Sequence, residues 1–251
     1  MTNVNEIKEL NESPDKVEMS SDLTCAVIQA CASDDFVIHT AKVSAQNSFG
    51  SLDILPETLD KARFIRALMS PRHGVPFEHN IFTFLVQVPI FVQNQWVKHR
   101  MSSMNSFSGR YSVMLPKFYT APDIRPLINE GTKMKPKFVM ASESEQEWVR
   151  SSDYEASQAA WDEYQLRLRM GIAEEYARTI LPLNTYTQFY WSVNARSLMN
   201  FLERRIDDAY NRVETHPQWE IQFAARQLEE AFKFYMPLSH EAFINAGRVA
   251  P

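Results

Sequence analysis

The chain's 251 residues, 45% of them hydrophobic, suffice to bury a substantial core and are read as one large domain. With 26 Lys and Arg against 31 Asp and Glu, the formal net charge of -5 excludes the global basic field that draws proteins to nucleic acid, so an anion would be bound locally. Cys25 and Cys31 are too few for a disulfide framework and no run of about 18 apolar residues suits a membrane span, so a cytoplasmic setting is expected, or the host cytoplasm for a viral chain.

In chain order, residues 1–22 are polar and acidic, lack the apolar core of a signal peptide, and read as a loosely ordered arm ahead of a domain over 23–251. Leu23 to Ala32 is a short apolar run that suits a strand or a helix, and periodicity does not choose between them. Phe36 to Ser44 and Leu59 to Met69 have helical spacing, the second closed by Ser70-Pro71. After the turn HGVPFEH, Asn80 to Val88 alternates, with Phe82, Phe84, Val86 and Val88 on one face, and predicts a strand. Pro89 suits the first turn of a helix running to about Arg100, on which Gln95 and His99 share a face.

Residues 122–143 read as a long Pro-containing connection, followed by helix from Ser144 to about Ile180 with a break at Gly171. Thr187 to Val193 predicts a second strand, and Asn194 is placed to cap the helix ARSLMNFLERRI. A polar loop over 206–217 leads to a final helix, WEIQFAARQLEEAFKFYM. A few strands among several helices, without βαβ alternation, predict an α+β fold with a small, mostly antiparallel sheet packed by helices.

Most common chemistries lack their residues. Six glycines form neither a Walker pattern nor GxGxxG, and His73, His79 and His99 have no HExxH or CxxC beside them, so no metal site is expected. Ser108-Gly109 lacks the first glycine of a nucleophile elbow. What stands out is KHRMSSMNSFSGRYS at 98–112. Lys98-His99-Arg100 alone would read as a solvated helix end, its cations complementing the dipole. Directly after it come Ser102, Ser103, Asn105, Ser106, Ser108 and Arg110, a dense donor array suited to holding a phosphate and a heterocycle. A second constellation, NARSLMNFLERR, places Arg196 and Asn200 on one helical face with Arg205 pointing elsewhere. Spacing alone makes it a surface salt-bridge face over a buried stripe of Leu198, Phe201 and Leu202.

The run 98–112 resembles the signature of the flavin-dependent thymidylate synthases (the ThyX family), ordinarily Arg-His-Arg, seven residues and then Ser. His99, Arg100, Ser108 and Arg110 match in register. The resemblance extends through HGVPFEHNIFTFLVQVPIFVQNQW before the motif, and through ARTILPLNTYTQFYWSVNARSLMNFLERR and HPQWEI after it. It implies a ThyX-like fold over 23–251 and methylation of dUMP at C5 to dTMP, with methylenetetrahydrofolate as carbon donor, FAD as hydride carrier and NADPH as reductant. It also implies a homotetramer with active sites shared between subunits.

Carried over by position, the flavin contacts fall on Lys98, His99, Arg100, Ser106, Asn194, Arg196 and Asn200, with His73 as a pocket histidine beside the flavin. The dUMP contacts fall on Gln95, Ser106, Phe107, Ser108, Gly109, Arg110, Arg178 and Arg205, and Arg205 is the catalytic candidate. Glu78 and His216 lie in matching blocks, with structural and functional roles equally open. Neither cysteine lies near the motif, so the thiolate that conventionally activates uracil is missing, and a fixed guanidinium stabilising charge on the ring is the alternative.

The chain departs from the pattern at Lys98, where the first arginine is usual, at Ser106, where Glu or Gln is common, and at Val75, where Ser or Thr is common. Extra residues between Arg205 and His216 are expected to lengthen a surface loop. The departures at 75, 98 and 106 keep in view a relative that hydroxymethylates a pyrimidine nucleotide, whereas the retained Arg178, Arg205 and second half of the motif speak against a further alternative, a non-catalytic nucleotide-binding homologue.

Overall fold

Two Gln and Asn side chains show how this chain closes its sheet. Gln227 accepts from the Cys25 N–H (3.0 Å) and donates to the Leu23 carbonyl (2.7 Å), and buried Asn80 accepts from the Ser33 N–H (2.9 Å). The computed structural model in which they are seen describes residues 16–45 and 55–251. Its strands and helices, in chain order, are β1 (Glu18–Ser20), β2 (Thr24–Cys31), α1 (Asp34–Lys42), α2 (Lys61–Met69), α3 (Val75–Glu78), β3 (Ile81–Pro89), α4 (Ile90–Trp96), β4 (Ser102–Ser106), β5 (Lys117–Tyr119), β6 (Ile128–Asn129) and β7 (Phe138–Val139). Then follow α5 (Glu143–Arg169), α6 (Glu174–Ala177), β8 (Tyr186–Asn194), α7 (Ala195–Arg205), α8 (Trp219–Tyr235) and α9 (Pro237–Asn245).

The fold is α+β, as expected. Among the described residues the chain packs as two compact units interleaved in sequence, one from 16–22, 88–93 and 107–187, the other from 23–87, 94–106 and 188–251.

The second unit carries most of a four-stranded sheet of order β2-β3-β8-β4, in which β2 runs antiparallel to β3 and β4 antiparallel to β8. Phe82, Phe84 and Val86 are fully buried on one face of β3, because alternate side chains of a strand point to the same side. Phe84 lies 6.1 Å from Trp191 of β8, and Phe82 meets Phe232 of α8 edge-on at 6.5 Å. Trp96, Trp191 and Phe201 complete the aromatic core, with ring centres 4.8 to 5.3 Å apart. Helix α7 starts where expected: the Asn194 side chain accepts from the Ser197 N–H at 2.8 Å, and Leu198, Phe201 and Leu202 are its buried stripe.

In the first unit, α5 begins with a capping box in which Ser142 and Glu145 satisfy each other's backbone N–H groups. It buries Trp161 and Tyr164 against Val17, Met114, Phe118 and Ala177. The predicted break is present, with Gly171 at φ +80°, a conformation that costs glycine least.

Several expectations are corrected. The open segment Leu23 to Ala32 is strand β2, whose edge Gln227 satisfies. Of the expected arm, residues 1–15 lie outside the described residues. Residues 18–20 are not loose: β1 pairs in parallel with β5, and the Tyr186 hydroxyl donates to the Ser20 and Asp22 carbonyls. Pro89 ends strand β3 rather than starting a helix, a place where a missing N–H interrupts little of the ladder. Helix α4 stops at Trp96, four residues before the expected end, because 102–106 is a strand held by the ladder of β8. The 122–143 connection contains the β6–β7 hairpin, and α9 follows the helix that was expected to be last. The 206–217 loop is pinned: Arg212 N–H donates to Gly247 O at 2.9 Å, and Asn211 Nδ2 to Ile206 O at 2.7 Å. Among the described residues, no helix is long and apolar enough to cross a membrane.

Candidate functional site

In the second unit the site is built where the C-terminal ends of α4 and α7 meet. Arg205, in the last turn of α7, donates from Nε to His99 Nε2 at 3.0 Å. Its two terminal nitrogens donate to Gln95 Oε1 and to the Gln95 carbonyl, each at 3.3 Å. That carbonyl belongs to the last turn of α4, where oxygens lack intrahelical partners and carry the negative end of the helix dipole. These bonds use three of a guanidinium's five N–H donors and leave two. Arg205 is half-buried, and burial lowers its pKa. The adjacent Arg204 is exposed, as expected of successive residues about 100° apart around a helix.

An arginine has only donors, so His99 Nε2 must accept and the imidazole must be the neutral tautomer with its proton on Nδ1. Burial, and then the charge of Arg205, push the His99 pKa down to about 4, which keeps that state across the neutral range. The ring rests on Phe201 at 4.6 Å between centres. Gln95 and His99 both bond Arg205, but they do not share a helical face as expected: His99 lies past the helix end, in a turn closed by its N–H to Trp96 O at 3.0 Å.

A cleft of about 140 Å³ adjoins this cluster, lined by His99, Arg100, Trp191, Ser197 and Asn200, with Val193 among its apolar walls. Trp191 is fully buried, and its Nε1 has no hydrogen-bond acceptor. Arg196 does not line this cleft; it donates to Glu78 (2.5 Å) and to the Pro251 carbonyl (2.7 Å). Its guanidinium lies against Gly74, where an added Cβ would fall 2.3 Å from Arg196 Nε. Asn200 Nδ2 donates to the Arg196 carbonyl at 3.2 Å, and the Asn194 side chain is spent on its cap. His73, Lys98 and Ser106 are exposed, as is Val75. His73 follows Arg72, whose φ of 64° is left-handed and whose side chain holds the Ala250 carbonyl. His216 faces Glu214 of its own loop at 3.5 Å. A larger cleft of about 500 Å³, bordered by Arg66, Arg72 and Arg212, contains none of the expected residues.

The rest of the expected set belongs to the first unit. Arg110 pairs with Glu175 at 3.2 Å, and Arg178 Nε donates to the Glu175 carbonyl at 3.4 Å, so one acidic residue gathers both arginines. Gly109 is buried beneath them: a Cβ there would lie 3.1 Å from Arg178 Cδ and 2.5 Å from Met114 Sδ. Ser108 Oγ accepts from the Arg110 N–H at 3.3 Å, and among the described residues no side chain bonds it as a base would. Phe107 is exposed.

Sequence reasoning missed Glu175, Trp191, Ser197 and Gln218, the last of which accepts from Gln95 Nε2. Glu175 had a signal, its three-residue offset from Arg178. The others have none without the fold.

Residues 26–238 match the Thy1 family, described as thymidylate synthase complementing protein. A flavin-dependent thymidylate synthase of Streptomyces coelicolor is 39% identical over 238 residues, covering 94% of this chain and 96% of that relative. One of Tropheryma whipplei (strain TW08/27) is 40% identical over 231 residues, covering 92% and 96%. Among solved structures, the UMP/dUMP methylase PolB from Streptomyces cacaoi bound with 5-Br dUMP superposes with a TM-score of 0.88 at 40% identity, covering 94% of this chain and 100% of that one. The same enzyme with 5-Br UMP gives 0.87 at 38% identity. On both sequence and fold, the chain belongs to the flavin-dependent thymidylate synthase family, a family of enzymes.

Proposed function

We propose that the chain converts dUMP, methylenetetrahydrofolate, NADPH and a proton to dTMP, tetrahydrofolate and NADP⁺, with FAD as the bound cofactor. The observation that carries this reading is Arg205: a half-buried guanidinium held, among the described residues, only by neutral acceptors, with two donors left for a ligand. Uracil C5 becomes nucleophilic when negative charge is favoured on the N3–C4–O4 edge of the ring. A fixed cation with no carboxylate partner stabilises that charge without first having to break an ion pair. Neither cysteine offers the thiolate alternative: burial pushes the Cys25 thiol well above its ordinary pKa, and neither residue lines the cleft.

The cleft beside His99 fits a flavin by its donor set. Indole, imidazole and guanidinium groups with an amide and a hydroxyl surround an apolar wall, and the buried Trp191 N–H awaits an acceptor. At about 140 Å³ it is smaller than the roughly 300–1,000 Å³ of whole ligand pockets, so it would take one part of the dinucleotide. Other subunits of a homotetramer would hold the remainder. His99, Arg100 and Asn200 are the residues that would hold this part, while His73, Lys98, Ser106, Asn194 and Arg196, which do not line the cleft, would serve the flavin elsewhere. When bound, the flavin supplies the hydride that turns the transferred one-carbon unit into a methyl group.

In the first unit we assign Ser108, the Gly109 N–H, Arg110 and Arg178 to a dUMP phosphate, with Phe107 beside them in sequence; in the second unit we assign Gln95 and Arg205, with Ser106, to a uracil base. The Arg110–Glu175 pair is half-exposed on both sides, at 52% and 57%, so a phosphate dianion has little to displace. Ser108 acts as a hydrogen-bond donor, not a nucleophile.

Mass analysis of products from dUMP, methylenetetrahydrofolate and NADPH, with and without FAD, tests the whole reading. A methylated nucleotide formed only with FAD is expected. A hydroxymethylated product, or turnover without flavin, would overturn it. Parallel runs with UMP ask whether the ribonucleotide is also taken.

A further inference from the structure

We infer that Gln218 is a positioning residue that fixes the direction of Arg205 through Gln95. This inference rests on the reading of Arg205 given above.

The argument is one of hydrogen-bond polarity. Arg205 can only donate, so the Gln95 amide must turn its oxygen toward NH1, where it lies at 3.3 Å. Its NH₂ group then points the other way, and what it meets must accept. The Gln218 side-chain oxygen is that acceptor. The order Gln218 ← Gln95 ← Arg205 → His99 is thus determined from end to end by the one donor-only member, Arg205. Without Gln218, the Gln95 amide loses the contact that distinguishes its two ends. A flipped amide would oppose its NH₂ to the guanidinium, donor against donor.

A second observation sets Gln218 apart from an ordinary helix start. It occupies the N-cap position of α8 with capping backbone angles (φ -62°, ψ 142°), yet its side chain caps nothing. A Ser, Thr, Asp or Asn there would ordinarily give its side-chain oxygen to the backbone N–H groups two or three residues on. Here the oxygen is given to Gln95. The cap is forgone and an orientation is held, so replacing Gln218 removes no cap from α8. Gln95 also offers Arg205 its backbone carbonyl at 3.3 Å, which fixes where the guanidinium sits, while the amide fixes how it is turned. Arg205 Nε binds the neutral His99, so a turned guanidinium would disturb the imidazole as well.

The test compares Gln218→Ala, Gln218→Glu and Gln218→Lys with Gln95→Ala, the double variant Gln95→Ala/Gln218→Ala, and Arg205→Ala, all as FAD-loaded enzyme. Flavin absorbance and Tm are measured on each. Gln218→Ala should lower kcat for dTMP formation by about 10-fold, the scale of misplacing a group from outside the reacting atoms. Gln218→Glu keeps an acceptor and should recover to within about threefold of the parent, whereas Gln218→Lys, which presents donors to Gln95, should fall below Gln218→Ala. In the Gln95→Ala background, Gln218→Ala should cost nothing further, because the group it acts through is gone. A merely structural role at the helix start would instead give the same fractional loss in both backgrounds. That result, or parent-like kcat in Gln218→Ala and Gln218→Lys, would overturn the inference. Full dTMP formation by Arg205→Ala would remove the reading of Arg205 itself. An inactive Arg205→Ala beside a parent-like Gln218→Ala removes only the positioning role.

Discussion

Two arginines of the same unit are treated in opposite ways. Arg248, 5% exposed, is gripped by Glu229 through both terminal nitrogens (2.7 and 3.2 Å) and by Asp208 at 2.7 Å, and His240 braces Glu229 from the other side at 3.1 Å. Burial works against its charge, but the two carboxylates outweigh burial and raise its pKa. Glu229 is shifted oppositely: burial pushes it up, while His240 and Arg248 bring it down by more. Arg205 is only half-buried and, among the described residues, no carboxylate pairs with it, so burial acts unopposed and lowers its pKa. Arg248 is a completed ion cluster that ties α8 to the 206–217 loop and the C-terminal turn. Arg205 is an uncompleted one, and its missing anion is supplied by the substrate in the proposed reaction. The protein tolerates that open charge because a helix carbonyl, the Gln95 amide and a neutral imidazole solvate it partially.

The largest effect that would sharpen this contrast is on stability. Arg248→Met leaves buried Glu229 and part-buried Asp208 without this cation and should cost about 3–5 kcal/mol in chemical denaturation, with turnover per folded molecule preserved. A loss below 1 kcal/mol, by the same order-of-magnitude scale, would show that the cluster is not the anchor described. Arg205→Ala should do the reverse. Its stability should change by no more than about 1 kcal/mol, and flavin should stay bound with NADPH oxidation measurable. Formation of dTMP should fall by roughly 10²-fold or more, the scale of one preorganised donor. Exposed Arg204 is the control, and Arg204→Ala should stay within about twofold. An inactive Arg204→Ala beside a working Arg205→Ala would reverse the assignment.

His99 gives the open arginine a pH signature. Its pKa drops from 6.5 unfolded to about 4 folded, so between those values the unfolded chain binds more protons than the folded one. The stability it contributes is complete above pH 6.5 and is lost as pH falls toward 4, on the order of 1–2 kcal/mol after allowing for solvent screening of a partly exposed ring. His99→Asn, which still offers Arg205 an acceptor, should flatten the dependence of Tm on pH across that window. An unchanged slope would mean that the ring titrates normally.

The smallest effect concerns Ser108. Ser108→Ala should weaken dUMP binding by roughly 0.5–1.5 kcal/mol and leave turnover in place. Abolished chemistry with dUMP still bound would make the hydroxyl a nucleophile after all.

Much of this was legible beforehand where the information is local. Alternation gave β3 and β8, the Asn194 side chain marked the start of α7, and Gly171 marked the break after α5. The site was legible only as a set of residues, through the resemblance of 98–112 and 194–205 to a family signature. Strand β4 was not: Ser102–Ser106 is polar and poor in β-formers, and it is extended because β8 offers it a ladder. Whether 23–32 coils or extends was decided by the same kind of pairing, with β3.

By itself, the sequence determined which side chains are available: cations and hydroxyls after an aromatic strand, and two adjacent arginines ending a helix. Neighbouring positions on a helix diverge by about 100°, so Arg204 and Arg205 cannot face one pocket equally, and it was the family resemblance that favoured Arg205. The tertiary structure decided which charges are completed and which are left open. Arg205 meets His99 and Gln95 across more than 100 residues of chain (|i−j| of 106 and 110), and Arg248 meets Glu229 and Asp208 only once α8 and the loop before it are packed. Pairing of buried charge depends on distance and desolvation, and neither exists until the core has formed.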